Sequence, residues 1–73
     1  MMLKEKDLLM INLDTLDKLI LDSMCLDYQL KDIYPLLEIP RTTLMEKLRS
    51  LRDLFGVKNN TALIYKYSKI EEL

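Results

Sequence analysis

Residues 39–61, IPRTTLMEKLRSLRDLFGVKNNT, decide how this chain folds. Leu44, Leu48, Leu51 and Phe55 recur at i, i+4, i+7 and i+11, which places four apolar side chains on one stripe of a helix. Arg41, Thr42, Met45, Glu46, Arg49, Arg52 and Asp53 fall on its other side. Pro40 can open this helix, because a proline at the first helical position gives up only an N–H that would be unpaired there. Gly56 can close it, because glycine enters the left-handed conformation of a helix C-terminus without a Cβ clash. The spacing therefore predicts a helix over about 41–55. An amphipathic helix anchored on one face and carrying arginines on the other is a candidate for insertion into a DNA groove.

Working outward from that stretch, the whole chain reads as helical. Its 73 residues suit a single domain near the lower size limit for one core. Hydrophobic residues make up 49% and charged residues 32%, a balance that separates it from disordered sequences. There is one Gly, there are two Pro, and no β-branched alternation marks a strand. The formal charge of −1 hides an asymmetry. Residues 1–39 carry four Lys and eight carboxylates, a net of −4, whereas residues 40–73 carry seven Lys or Arg and four carboxylates, a net of +3. The basic half contains the organising helix, which fits contact with a polyanion through one face.

Other chemistries are disfavoured. One cysteine, Cys25, excludes an intrachain disulfide and a cysteine-based metal cluster, and the absence of His removes the commonest metal ligand and general base. No glycine-rich loop or convergent carboxylate set marks an enzyme, and neither a metal nor another cofactor is expected. No apolar run approaches membrane-spanning length and no signal-peptide pattern begins the chain, so a cytoplasmic location is expected.

Taken in order, residues 1–12 form an N-terminal arm, whose Leu8, Leu9 and Ile11 suit an extra turn, a lead-in strand or a frayed end. Asp14 is a good N-cap for a first helix from about Thr15 to Leu26, with Leu16, Leu19, Ile20 and Met24 at helical spacing. On it, Lys18 and Asp22 form an i, i+4 pair, and Cys25 reads as a small buried packing residue. Asp27 to Leu30 is a turn. A second helix carries Ile33, Leu36 and Leu37 inward. Pro35 costs about 3 kcal/mol inside a helix, which argues for a start near Asp32 and an end near Leu37. After Gly56, Val57 tucks back and Asn60 or Thr61 caps a fourth helix running to about Glu72. Its Leu63, Ile64, Tyr67 and Ile70 face inward, with Tyr65, Lys66 and Lys69 outside.

Four short helices with a tight turn between the middle two make a helix-turn-helix. Over residues 13–73 the chain resembles the LuxR/GerE-type DNA-binding domain. The likeness rests on Ile33, Leu37 and Ile39, then Thr43, Leu44, Leu48 and Leu51. It ends on Phe55-Gly56-Val57-Lys58-Asn59-Asn60-Thr61, where the family writes Leu-Gly-Val, basic, Asn, basic, Thr. The chain departs from the family at Tyr34 for a small alanine, at Pro35, at Glu38 for the turn glycine, at Pro40 for a capping serine and at Asn60 for a basic residue. The resemblance implies an all-α, four-helix fold. It also implies base contacts from Met45, Glu46 and Arg49 in the major groove. Backbone contacts then come from Lys31, Thr43, Lys58 and Thr61, joined by Arg41, Thr42, Lys47, Arg52 and Asn59 around the same helix and turn. In the family the fourth helix makes a two-fold contact, which here would use Tyr65, Lys69 and Leu73.

Two functions are expected from this reading. The first is a stand-alone transcription regulator that binds double-stranded DNA as a weak homodimer. The alternative is a degenerate helix-turn-helix module that binds a protein partner, for example antagonising a related regulator. Exposed Met45, Glu46 and Asp53 favour the second; Arg41, Arg49, Arg52 and Lys58 favour the first.

Overall fold

Asp14 starts the first helix. Its carboxylate accepts the Asp17 N–H at 2.7 Å, and the Asp17 carboxylate accepts the Asp14 N–H at 3.2 Å, so two orphan donors are satisfied reciprocally. The computed structural model describes residues 12–71. Four helices follow one another: α1 Thr15–Cys25, α2 Leu30–Leu36, α3 Arg41–Phe55 and α4 Asn60–Glu71. Every regular element among the described residues is a helix, so the fold is all-α. The arm over 1–11 lies outside the described residues, as do Glu72 and Leu73.

Helices α1, α2 and α3 all stop on the same hydrogen-bond pattern. At the end of α1 the Asp27 N–H donates to the Met24 carbonyl and the Tyr28 N–H reaches back to Ser23. After α2, Glu38 donates to Pro35 and Ile39 to Tyr34; after α3, Gly56 donates to Asp53 and Val57 to Arg52. This is the Schellman termination, which needs a left-handed residue just past the helix. Asp27 (φ 68°), Glu38 (φ 57°) and Gly56 (φ 70°) occupy those three places. Only the glycine is suited to it without a Cβ penalty.

Several boundaries differ from the sequence reading. Helix α1 ends at Cys25 rather than Leu26, and Cys25 is exposed rather than buried. Ile20, Leu21 and Met24 already fill the inward face, and a residue one step past Met24 is turned about 100° away from it. Helix α2 starts at Leu30, not Asp32, so Pro35 is its sixth residue instead of lying in the first turn. The proline forfeits one bond within the helix, the one to the carbonyl of Lys31, and Lys31 is an exposed residue. Leu36 is exposed, while Ile33 is buried and Leu37 half-buried. Pro40 is the N-cap of α3 with φ −62° and ψ 149°, one position ahead of the first helical residue. The N-cap of α4 is Asn59, whose side-chain oxygen accepts the Ala62 N–H at 2.8 Å, in place of Asn60 or Thr61. Asp22 does not pair with Lys18; its carboxylate accepts the Tyr67 hydroxyl at 2.8 Å.

The core is the meeting of these stripes. Leu44, Leu48, Leu51 and Phe55 of α3 are buried together with Leu13, Ile20, Leu21 and Met24 around α1, Ile33 of α2, and Leu63, Tyr67 and Ile70 of α4. Ile64 is half-buried against this cluster. Helix α3 packs against each of the other three, and α4 also packs on α1. Phe55 and Tyr67 meet edge to face with ring centroids 6.4 Å apart, and the Tyr67 hydroxyl continues to Asp22, so one side chain ties α4 to both α3 and α1. The Lys66 ammonium donates to the Phe55 carbonyl at 2.9 Å, placing a cation at the negative end of α3.

Candidate nucleic-acid interface

The spacing that buries one side of α3 exposes the other. Thr42, Glu46, Arg49 and Asp53 follow i, i+4, i+7 and i+11, offset by two residues from the core stripe, and all four are exposed. Arg41 and Ser50 are exposed beside them, whereas Thr43 and Met45 are half-buried, Met45 being packed against the core. Of the three expected base-contacting residues, Glu46 and Arg49 share the outward face and Met45 sits at its margin.

The N-terminus of α3 is open. No side chain caps it and its first turn holds no acidic residue. By contrast, α1 closes its own N-terminus with Asp14 and Asp17. The positive end of the α3 dipole is therefore bordered by Arg41 and Thr42 and has no carboxylate of its own to neutralise it.

Two expected backbone-contacting cations are used inside the protein. The Lys47 ammonium lies 3.0 Å from an Asp14 carboxylate oxygen and 3.2 Å from one of Asp17, tying α3 to the start of α1. The Arg52 guanidinium donates to the Asn60 side-chain oxygen at 2.7 Å, tying the end of α3 to the start of α4. Hydrogen bonds from the Asp17 backbone and from Lys47 hold the Asp14 carboxyl below the usual carboxylate range. Its bond with Asp14, followed by that with Asp17, raises the Lys47 ammonium above the ordinary lysine value. No local signal in the sequence announces the Lys47 clamp, because its partners lie 33 and 30 residues away. The Asn59 side chain serves as a cap, and its residue is exposed.

The remaining cations flank α3. Lys31 is exposed on α2, and Lys58 and Thr61 are exposed around the turn into α4. On α4, Tyr65 is 65% exposed, with the Lys69 ammonium 5.5 Å from its ring centroid. A shallow apolar depression beside this pair is lined by Val57, Ala62 and Lys66 among others. The expected contact at Leu73 lies outside the described residues. Among the described residues no helix is long and apolar enough to cross a membrane.

No family model matches the chain, and neither a curated protein nor a solved structure matches it.

Proposed function

We propose that the protein is a helix-turn-helix DNA-binding regulator that lays α3 in the major groove. The observation that carries this reading is the construction of α3 itself. A 15-residue helix is anchored along its length by four buried side chains, and it turns outward a face containing Arg49 and an N-terminus bordered by Arg41. An uncapped helix N-terminus with a neighbouring arginine suits a phosphate oxygen. Arg49 and Glu46, about one helical turn apart on the exposed face, have the donor and acceptor chemistry that complements guanine and cytosine edges. Lys31 and Lys58 supply backbone contacts outside the groove.

The same reading assigns α4 to a two-fold contact between copies, centred on Tyr65 and Lys69. A single exposed aromatic with a lysine over its ring suits a small interface, with a dissociation constant in the micromolar range or weaker. Such a dimer would read half-sites about one DNA turn apart.

The test is selection of bound fragments from random duplexes, then fluorescence anisotropy over a salt series. With Lys31, Arg41 and Lys58 from each of two copies, about six phosphates are neutralised and the log–log salt slope is about −5. A flat salt response, or no binding at low salt, refutes the proposal. A second reading, a module that binds a protein through α3, is favoured by one observation: Lys47 and Arg52 are both engaged within the fold. Absence of DNA binding together with an intact fold would put it ahead.

A further inference from the structure

The side of α1 turned away from the core has a chemistry of its own. Ile20, Leu21 and Met24 are buried, while on the far side of the helix Leu19 and Leu26, at i and i+7, are 46% and 73% exposed. Ser23 lies between them with its hydroxyl donated back to the Leu19 carbonyl at 2.7 Å, so its proton is turned to the helix and not outward. The hydrogen bond from the Tyr28 N–H to the Ser23 carbonyl turns the Tyr28 backbone back towards this end of α1. In a Schellman termination that residue ordinarily packs on an apolar side chain three or four places before the helix end. Here those places are Ser23 and Asp22, and Tyr28 is left 50% exposed. Leu19, Leu26 and Tyr28 are thus three large apolar side chains left exposed on the outer side of α1 and just past its end, as judged among the described residues.

Charge selects the occupant. Asp22 and Asp27 are exposed along the same edge, and Asp32 is exposed on the following helix. With Asp14 and Asp17 held by Lys47, the other charges of residues 12–39 are Asp22, Asp27, Asp32 and Glu38 against Lys18 and Lys31, a net of −2. Two copies placed face to face here would bring like charges together, which opposes self-association. We infer that this edge docks a basic amphipathic helix of another protein. Its apolar side chains cover Leu19, Leu26 and Tyr28, and its lysines or arginines meet Asp22, Asp27 and Asp32. None of these residues belongs to the proposed DNA interface, so the two proposals fail separately.

The test is a ¹⁵N correlation-spectrum titration of the full chain with a synthetic helical Leu/Lys peptide carrying one apolar stripe. A peptide of equal charge with Ser in place of Leu is the comparison. Saturable shifts are expected at Leu19, Ser23, Leu26 and Tyr28 with the first peptide only, weakening as salt is raised. Leu26→Lys should lower the affinity at least about tenfold, equivalent to 1.4 kcal/mol, without disturbing the rest of the spectrum. The pair Asp22→Asn and Asp27→Asn should weaken binding and flatten its salt dependence. Both substitutions leave the fold its local needs, since asparagine accepts the Tyr67 hydroxyl and tolerates the left-handed backbone. Equal shifts with the serine peptide, shifts confined to α3 or α4, or no saturation would overturn the inference. Shifts on this edge on concentrating the protein alone would assign it to a second copy and overturn it as well.

Discussion

Glu38→Gly should make the protein more stable, although it deletes a side chain and adds a flexible residue. Glu38 is held at φ 57° by the termination of α2. A non-glycine residue in that conformation costs about 1–2 kcal/mol, from the approach of Cβ to the following carbonyl. Glycine removes this cost but raises the entropy of the unfolded chain, worth about 0.4–1 kcal/mol in the other direction. The balance is a gain of about 0.5–1 kcal/mol, because the Glu38 side chain is exposed and makes no hydrogen bond to another described residue. For a domain of this size that is a rise in melting temperature of about 2–8 °C. Asp27→Gly should act in the same direction and less strongly, since aspartate tolerates the left-handed region better. Gly56→Ala is the reverse experiment. A Cβ there would meet nothing within 4 Å, so its cost is backbone conformation alone and should match the Glu38 gain in size with opposite sign. Thermal unfolding followed by circular dichroism at 222 nm reads all three. A destabilised Glu38→Gly, or a Gly56→Ala as stable as the parent, would refute the assignment of these turns.

Arg49→Ala should cost roughly 1–3 kcal/mol of DNA affinity and relax preference at one base position, whereas Lys58→Ala should weaken all sequences about equally; anisotropy against a panel of singly substituted duplexes separates the two. Tyr65→Glu should give a monomer in sedimentation at concentrations where the parent associates, with an unchanged circular dichroism spectrum. The Asp14–Lys47 contact should give stability a pH dependence on both sides. A lowered Asp14 pKa contributes stability that is fully present above the ordinary aspartate value and is lost as pH falls through the folded value. A raised Lys47 pKa contributes below its ordinary value and is lost as pH rises through the folded one. Asp14→Asn, which keeps a capping oxygen, should flatten the acid limb of a urea-denaturation series; an unchanged limb would remove the contact from the account.

The helices were legible because burial is periodic. The stripe at Leu44, Leu48, Leu51 and Phe55 sets both the buried side of α3 and, by the same period, its exposed residues Thr42, Glu46, Arg49 and Asp53. Gly56 was legible because glycine advertises a left-handed position by its chemistry. Asp27 and Glu38 occupy equivalent positions and were less legible: aspartate only tolerates φ above zero, and Glu38 was marked only by standing where the resembled family has a glycine. The beginning of α2 was misplaced for a related reason. The general cost of a proline inside a helix argues for a later start, yet the one carbonyl that Pro35 leaves without its helical donor belongs to an exposed residue. Contacts that span the fold have no local signature at all. Lys47 with Asp14 and Asp17, Arg52 with Asn60, and Tyr67 with Asp22 depend on which helices come together.

These internal contacts also redistribute the charge available to a partner. Lys47 and Arg52 are engaged by side chains at the start of α1 and of α4, so the exposed charges of α3 are Arg41 and Arg49 against Glu46 and Asp53. These sum to zero. A face of that kind draws a polyanion weakly from a distance, and its selectivity must come from directed hydrogen bonds at short range. Of the two arginines, Arg41 stands at the first residue of α3, and further cations lie outside the helix, Lys58 just beyond its end and Lys31 on the helix before it. In the proposed complex the ends of α3 and its neighbours are attracted to phosphates while its middle discriminates among bases. Salt sensitivity and sequence preference are then carried by different residues of one helix-turn-helix. Breaking the Lys47 clamp tests this division directly. Asp14→Asn with Asp17→Asn would release a cation beside the exposed face, and DNA affinity should rise for all sequences alike, with a steeper salt slope. A gain restricted to the selected sequence would mean that Lys47 reads bases, and the division between ends and middle would not hold.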